Sequence, residues 1–431
     1  NGWLRFMRRW GKRVLPSWKT FKPIEPGNGG GSSMSELNRN RAPESAASNT
    51  QVKVLHVTPS FYPALVYGGP TQSVYQLCCG LVRNQCEVRV LTTDANGPDA
   101  VLDVDTTRDV EIVNGLWVRY CHRILDVSIS PTLFRLLSAR IRWADVVHLM
   151  AVYSFPTIPT LWLCKLLGKP VVWSPRGMLQ RWEGTRKQQL KARWEMVCRI
   201  VAPERLVLHV TSEQEAEESA GRFPGAKMAI IPNGVEVPES VARSNGRHDL
   251  RLVYLGRLDP KKGIENLLQA CSMLNGDPGS RLSLTIAGAG ETEYEKHLQT
   301  TISQMAAAER PKMIGHVSGG DKEKLFENAD VVVVPSYTEN FGLVVAEALA
   351  HGVPVIASKG TPWQRVEEIG CGLWVDNSPE SLAAAIKQIS RMPLREMGQR
   401  GRDWMQREFS WDLMAKRTLE LYAAMLSSYG S

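Results

Sequence analysis

An all-apolar run, Val331 to Val334, stops at Pro335, and after a short polar turn the chain resumes as Leu343 to Ala350, a segment rich in Ala, Leu and Glu. A buried strand, a tight loop and a helix start, in that order, form the phosphate-binding corner of an α/β protein. The first turn of a helix carries backbone N–H groups without partners and about half a positive charge. Gly342 removes the side chain where an anion must come close. Glu339 precedes this helix and Glu347 lies inside it. Two carboxylates beside a phosphate would repel it, so both are read as acceptors for sugar hydroxyls, with a solvated helix glutamate as the plainer reading of Glu347. Gly352-Val353-Pro354-Val355-Ile356-Ala357 supplies the helix stop and the next buried strand.

The same unit recurs along the chain. Val52 to Val57 is a parallel-type strand, and its loop ends in Gly68-Gly69 before a helix over Thr71–Val82. The paired glycines serve either a tight turn or close backbone approach to a ligand. Val88 to Thr93 is the next strand. Ala144 to Met150 and Val171 to Ser174 run to the same edge, carrying His148 within the first and Arg176 just past the second. His148 reads as a packed strand histidine, and Arg176 either meets an anionic acceptor or pairs with a carboxylate. Val146 to Cys164 is long and uncharged, but Pro156 and Pro159 divide it into strand, loop and helix rather than a membrane span. Leu206 to Thr211 starts another unit, with Ser212 and Glu215 as a capping box.

A second series opens with Leu250 to Leu255 and then Gly256-Arg257-Leu258-Asp259-Pro260-Lys261-Lys262-Gly263. Cations between a strand and a helix start concentrate positive charge where a diphosphate would leave. Leu282 to Ala287 runs into Gly288-Ala289-Gly290-Glu291, a G-x-G without the third glycine of a dinucleotide fingerprint. Gly315-His316-Val317 is placed beside a nucleotide base, Gly360-Thr361-Pro362-Trp363 is a further loop, and Trp411 to Ser427 is a closing helix.

The stretch P-S-x-x-E-x-F-G-L-x-x-x-E-A-L-A-x-G-x-P-V-I-A holds Glu339 and Glu347 as an E-x7-E pair. With G-R-x-x-x-K-x-G at Gly256 and I-P-N-G-V at Ile231, it resembles the retaining, group 1 glycosyltransferases of family four. The resemblance covers about residues 52 to 425. It implies a GT-B fold: two Rossmann-like domains facing across a cleft, with the last helix crossing back. It implies that Arg257 and Lys262 bind the donor diphosphate, that Glu339 holds the donor hexose and that Glu347 holds the ribose. Gly68, Gly69, Gly288, Gly290, Val317, Asn340, Phe341, Gly342 and Leu343 complete the donor site it implies, and His148 and Arg176 are its acceptor-side candidates. Relatives often carry a second histidine where this chain has Met150, which puts a catalytic part for His148 in doubt.

The length of 431 residues accommodates two core-bearing domains and a tail. The expected divisions are 51–232 on the acceptor side, 233–409 on the donor side and 410–431 as closing helix and tail. Residues 1–26 carry seven cations against Glu25 and hold +6 of the net charge of +8, so the body has no basic field of the kind nucleic acid requires. Trp3, Met7, Trp10 and Val14 fall at helical spacing among arginines, the composition of an interfacial membrane helix. Gly27 to Ser33 is a flexible linker and 34–50 a polar stretch expected to be disordered. The first residue is Asn1, and Met34 has the character of a start. Residues 1–33 are therefore read either as foreign to the enzyme or as a native membrane-contacting arm.

A helix expected between Arg181 and Arg205 sets Arg186, Lys187, Lys191, Arg193 and Arg199 beside Trp182, Leu190, Trp194, Met196 and Val197. It is either a packed helix with a solvated basic face or a face toward anionic lipid. The eight cysteines include no C-x-x-C and are read as buried free thiols of a reducing compartment. Asp103-Val104-Asp105 imitates a D-x-D metal motif but sits in a polar loop. The combined expectation is a metal-independent, cofactor-free retaining hexosyltransferase. Its donor would be a UDP- or GDP-sugar and its acceptor a polysaccharide or lipid-linked oligosaccharide, in the cytoplasm or on the inner face of the membrane. The alternatives are a sugar-nucleotide epimerase of the same fold and a non-catalytic sugar-binding protein.

Overall fold

The computed structural model describes residues 51–97, 100–124, 129–180, 188–241, 249–274, 282–306 and 310–427. The basic leader, the linker, the 34–50 stretch and Trp182, Arg186 and Lys187 lie outside the described residues. The first series of elements is β1 Lys53–Val57, α1 Gly69–Arg83, β2 Glu87–Thr93, β3 Val110–Val113, β4 Leu116–Cys121, α2 Pro131–Trp143, β5 Val146–Met150, α3 Thr157–Leu166, β6 Val171–Ser174, α4 Gln188–Val201, β7 Leu206–Val210, α5 Glu213–Arg222 and β8 Lys227–Ile230. Its sheet has the order β3-β4-β2-β1-β5-β6-β7-β8. Every pairing is parallel except that of β3 with β4. This hairpin past Asp105 is not foreshadowed by the expected elements.

The second series is β9 Leu250–Leu255, α6 Ile264–Leu274, β10 Leu282–Ala287, α7 Thr292–Ser303, β11 Lys312–Gly315, α8 Gly320–Glu327, β12 Val331–Val334, α9 Leu343–Ala350, β13 Val355–Ser358, α10 Arg365–Ile369, β14 Gly372–Val375, α11 Pro379–Ile389, α12 Leu394–Glu408 and α13 Trp411–Ser427. Its sheet, β11-β10-β9-β12-β13-β14, is parallel throughout. Strands such as β5 and β12 are buried along their whole length, which is why they read as unbroken apolar runs. Helices cover both faces of each sheet and give each domain two apolar layers. Parallel strands send their carboxyl ends to one edge, so the glycine-bearing loops of each domain gather there.

Helix α1 starts two residues earlier than expected, because Gly68 takes φ 70° as its cap and Pro70 suits the first turn. The Arg181–Arg205 helix is described as Gln188–Val201, stopping before Pro203. Val146 to Cys164 resolves into strand, loop and helix, and among the described residues no helix is long and apolar enough to cross a membrane. All eight cysteines are free and buried.

The chain passes between domains twice at one place. It leaves the first domain through Ile231–Val235, where the Val235 N–H donates to Phe409 O at 2.7 Å, and returns through Phe409–Trp411 into α13. Gly234 permits this crossing, since a Cβ there would lie 2.5–2.8 Å from Trp411 atoms. Helix α13 then packs beside α1 on the first sheet. Its Met414, Ala415, Tyr422 and Met425 join Val54, Val146 and Val172 in one core.

Candidate active site

Strands β9 and β12 are parallel neighbours, so the loops leaving them touch. Pro260–Lys262 forms a single 3-10 turn after β9, capped by the Asp259 carboxylate, which accepts from the Lys261 N–H at 3.0 Å. The Tyr337 N–H of the β12 loop donates to Lys261 O at 2.9 Å. Gly263, at φ 61°, has no room for a side chain, because a Cβ would overlap Pro335 O. This close fit delivers Lys262 onto Glu339. The Lys262 ammonium and the Glu339 carboxylate form an ion pair with side chains 15% and 13% exposed. Ser336 Oγ donates to the same Glu339 oxygen at 2.8 Å, and the Glu339 N–H donates to Gly360 O at 2.8 Å. A carboxylate this covered is held by named donors, which fixes where its free lone pairs point.

Helix α9 begins directly after this pair. Gly342 caps it in the left-handed conformation, φ 72°, with no side chain bonded to the first turn. The Val345 N–H is taken by Gly342 O at 2.9 Å, which leaves those of Leu343 and Val344 open at the helix start. Phe341 is buried against Trp363, ring centroids 5.1 Å apart, and its carbonyl accepts from the Trp363 indole. Its backbone serves the loop while its side chain serves the core. Leu343 reaches across the cleft, since a Cβ on Gly69 would sit 3.7 Å from Leu343 Cδ2. Gly68 and Gly69 therefore lie opposite the α9 start. Glu347, one turn beyond Leu343 on the same face, pairs with Lys322 of α8 at 2.8 Å. Asn340 turns away from Glu339 toward the start of α5, where its main-chain oxygen accepts from Ser212 Oγ at 3.2 Å.

Gly288 and Gly290 act through backbone packing. A Cβ on either would overlap a carbonyl of the β9 loop, of Gly256 or Leu258 respectively, and the Leu258 N–H donates to Ala289 O at 2.9 Å. Val317 is half-buried just after β11 at the same sheet edge, and Arg257 is exposed, its carbonyl accepting from Tyr254 Oη at 2.8 Å.

On the other side of the cleft the two acceptor-side candidates part company. His148 is fully buried, its Nδ1 2.6 Å from Tyr422 Oη and its Nε2 2.8 Å from Ser174 Oγ. It is a packed core histidine with both nitrogens engaged, not a cleft residue. His56 and His209 are buried with it, and burial pushes both down to about 3; His148 is likewise held well below its ordinary value, first by burial and then by His56. Arg176 takes φ 55°, rare for a non-glycine residue, and its guanidinium donates to Asn233 Oδ1 of the domain crossover. Asp105, the second acid of the D-x-D look-alike, accepts from the Thr107 N–H and hydroxyl at 2.8 and 2.6 Å and from Arg108 Nε at 2.8 Å. Thr107 first, then Arg108, hold it down to about 2.

Two family models tile this architecture. Residues 67–238 match Glycosyltransferase Family 4, and residues 241–404 match Glycosyl transferases group 1. The chain belongs to the group 1 glycosyltransferases of family four. An uncharacterised glycosyltransferase of Methanocaldococcus jannaschii is 27% identical to it over 398 residues, spanning 86% of this chain and 97% of that one. The sucrose-phosphate synthase of Thermosynechococcus elongatus superposes with a TM-score of 0.68 at 21% identity, over 88% of this chain and all of its own. An Anabaena protein solved in complex with UDP-glucose does so with a TM-score of 0.64 at 17% identity, again over 88% and 100%. The two sheets and the returning helix of this glycosyltransferase are those of the GT-B fold. Two features of its site are absent from the sequence reading: Lys322, the partner of Glu347, and the side-chain seat of Asn340. A lysine two residues past Gly319-Gly320 was the one available signal for the first.

Proposed function

We propose that this glycosyltransferase moves a hexose, with retention of its configuration, from a UDP- or GDP-linked donor to a polysaccharide or lipid-linked oligosaccharide. The observation that carries the reading is the Lys262–Glu339 pair at the uncapped start of α9, opposite Gly68-Gly69. When the donor enters, Lys262 turns from the carboxylate to the diphosphate and Glu339 is freed to accept from hexose hydroxyls. Once Lys262 has turned, Arg257 and the α9 N–H groups join it around the charge that grows on the departing phosphate. Those groups supply the charge stabilisation that a metal would otherwise bring. Glu347, steadied by Lys322, accepts from the ribose, and the base lies beside Val317. The Anabaena protein's UDP-glucose complex supports a nucleotide sugar as donor.

Exposed apolar side chains on α3 and α4 support the lipid-linked acceptor. Trp162, Leu166, Leu190, Met196 and Ile200 face solvent among Lys165, Arg193 and Arg199. Trp194 of the same helix instead turns inward, its indole donating to Val152 O at 2.8 Å. Apolar side chains rimmed by cations match the surface of an anionic membrane, the inner leaflet being the expected one.

The deciding experiment is nucleotide release from a panel of UDP- and GDP-sugars, with and without an oligosaccharide acceptor. Acceptor-dependent release and an α-linked product from an α-linked donor are expected. Epimerised sugar nucleotide without acceptor, or no turnover of any donor, overturns the reading.

A further inference from the structure

We propose that Asn340 and Glu215 form an interdomain latch that sets the position of Glu339 against the acceptor-side domain. The inference rests on the donor reading of Glu339. Glu215 is the third residue of α5, and Ser212 Oγ accepts from its N–H at 3.1 Å, the first half of a capping box. The second half is diverted. The Glu215 carboxylate is 1% exposed and accepts from the Thr211 N–H at 2.7 Å, Thr211 Oγ1 at 2.9 Å and the Gly177 N–H at 2.6 Å. The Asn340 amide, its nitrogen oriented by this network, donates to both carboxylate oxygens at 2.9 and 2.7 Å, and its oxygen lies 3.1 Å from Thr211 Oγ1.

The seat is shaped for this side chain. Gly177, at φ 76°, follows Arg176 on the loop after β6, and a Cβ there would stand 2.8 Å from Asn340 Cβ. Ser212 Oγ meanwhile donates to the Asn340 carbonyl. The residue adjoining Glu339 is thus gripped by the β6 loop and the β7–α5 junction of the opposite domain. When Asn340 withdraws, one Glu215 oxygen keeps Gly177 and the other keeps Thr211. No buried charge is stranded, so the latch opens at modest cost and can cycle with donor entry and nucleotide release. Asn340 is a positioning residue in this scheme; Glu339 touches the sugar.

Asn340→Asp places two carboxylates face to face at the latch. It is expected to lower kcat roughly 10- to 100-fold, as ångström-scale misplacement does, with a smaller change in donor KM. Its activity should recover as pH falls and one proton is shared between the acids, a rise the wild type lacks. Asn340→Ala removes the amide without adding a charge beside Glu215, so it should lose less kcat than N340D and lack the acid-side rise. Small-angle scattering reads the same cycle without turnover: N340D should be more extended than wild type, with N340A between them. Wild-type kinetics and dimensions in N340D, or the same acid-side rise in N340A, overturn the latch. If no sugar nucleotide is turned over by the wild type, the donor reading fails, and the scattering series alone decides whether the latch stands.

Discussion

Lys262 and Glu339 lie 77 residues apart in sequence and meet as an ion pair between the loops of two adjacent parallel strands. Each largely removes the other from water, so each is costly to leave alone. Lys262→Ala is expected to reduce turnover by roughly 10²- to 10³-fold, the usual consequence of deleting one preorganised charge stabiliser. Steady-state nucleotide release checks this, and near-normal turnover removes Lys262 from the diphosphate site.

The buried histidines make the first domain acid-sensitive. His56 and His209 are held at about 3 and His148 well below its ordinary value, all by burial first. Their folded pKa values lie beneath the unfolded value of 6.5, so the unfolded chain binds their protons first. Stability is fully present above about pH 6.5 and falls as pH drops toward about 3, by about 1.4 kcal/mol per pH unit for each proton taken up. Urea midpoints measured from pH 8 to pH 4 should follow this slope. A flat profile would show that these rings take up protons in the native state at the same pH as in the unfolded chain.

Gly288→Ala inserts a Cβ into the Gly256 carbonyl at φ 146°, which no side chain accommodates without moving the β9 loop. Because that loop carries Arg257 and Lys262, donor affinity should fall at least 10-fold, by about 1.4 kcal/mol or more. Calorimetric titration with UDP or GDP checks it. Unchanged affinity would mean that the two loops are not mechanically joined.

Turnover should persist in EDTA. Asp105 is bound by Thr107 and Arg108 within its own loop, and in the proposed mechanism the cations and helix start described above take the place of a metal. Loss of activity with rescue by manganese would bring Asp103 and Asp105 back into the site.

Anionic vesicles should bind the chain in a salt-sensitive way, each basic residue near the surface adding about 1 kcal/mol. Removing residues 1–33 should weaken binding strongly while leaving catalysis on a soluble acceptor unaltered. The binding that remains should fall again when Leu166, Met196 and Ile200 are made polar. Flotation assays distinguish the arms, and equal binding by all three proteins discards both membrane surfaces.

Much of the fold was legible because it is written locally. Val331–Val334, Gly342 and the Ala-rich turn after it announce a strand, a corner and a helix without help from the rest of the chain, and α13 occupies the expected Trp411–Ser427. The loop positions of Arg257, Lys262 and Glu339 were readable for the same reason, each standing just past a strand end; the roles proposed for them rest on the family resemblance. Pairings across sequence were not. Glu347 does not name Lys322, and the capping-box pattern at Ser212 gives no sign that Glu215 will serve Gly177 and Asn340 instead. The β3–β4 hairpin joins the sheet at its edge, where strands are short and half-exposed and leave only a faint apolar signal.

Helix α13 is the last element described, yet it completes the core of the first domain, where Tyr422 also meets His148. During synthesis the first domain leaves the ribosome long before the segment that seals one of its faces. The layer that holds Val54, Val146 and Val172 then has α1 over it but not α13, and is completed only when the second domain has been made and α13 is released. The order of birth and the order of completion are therefore opposite. A ribosome stalled within α13 holds a chain whose second domain can be finished while its first is still open to chaperones.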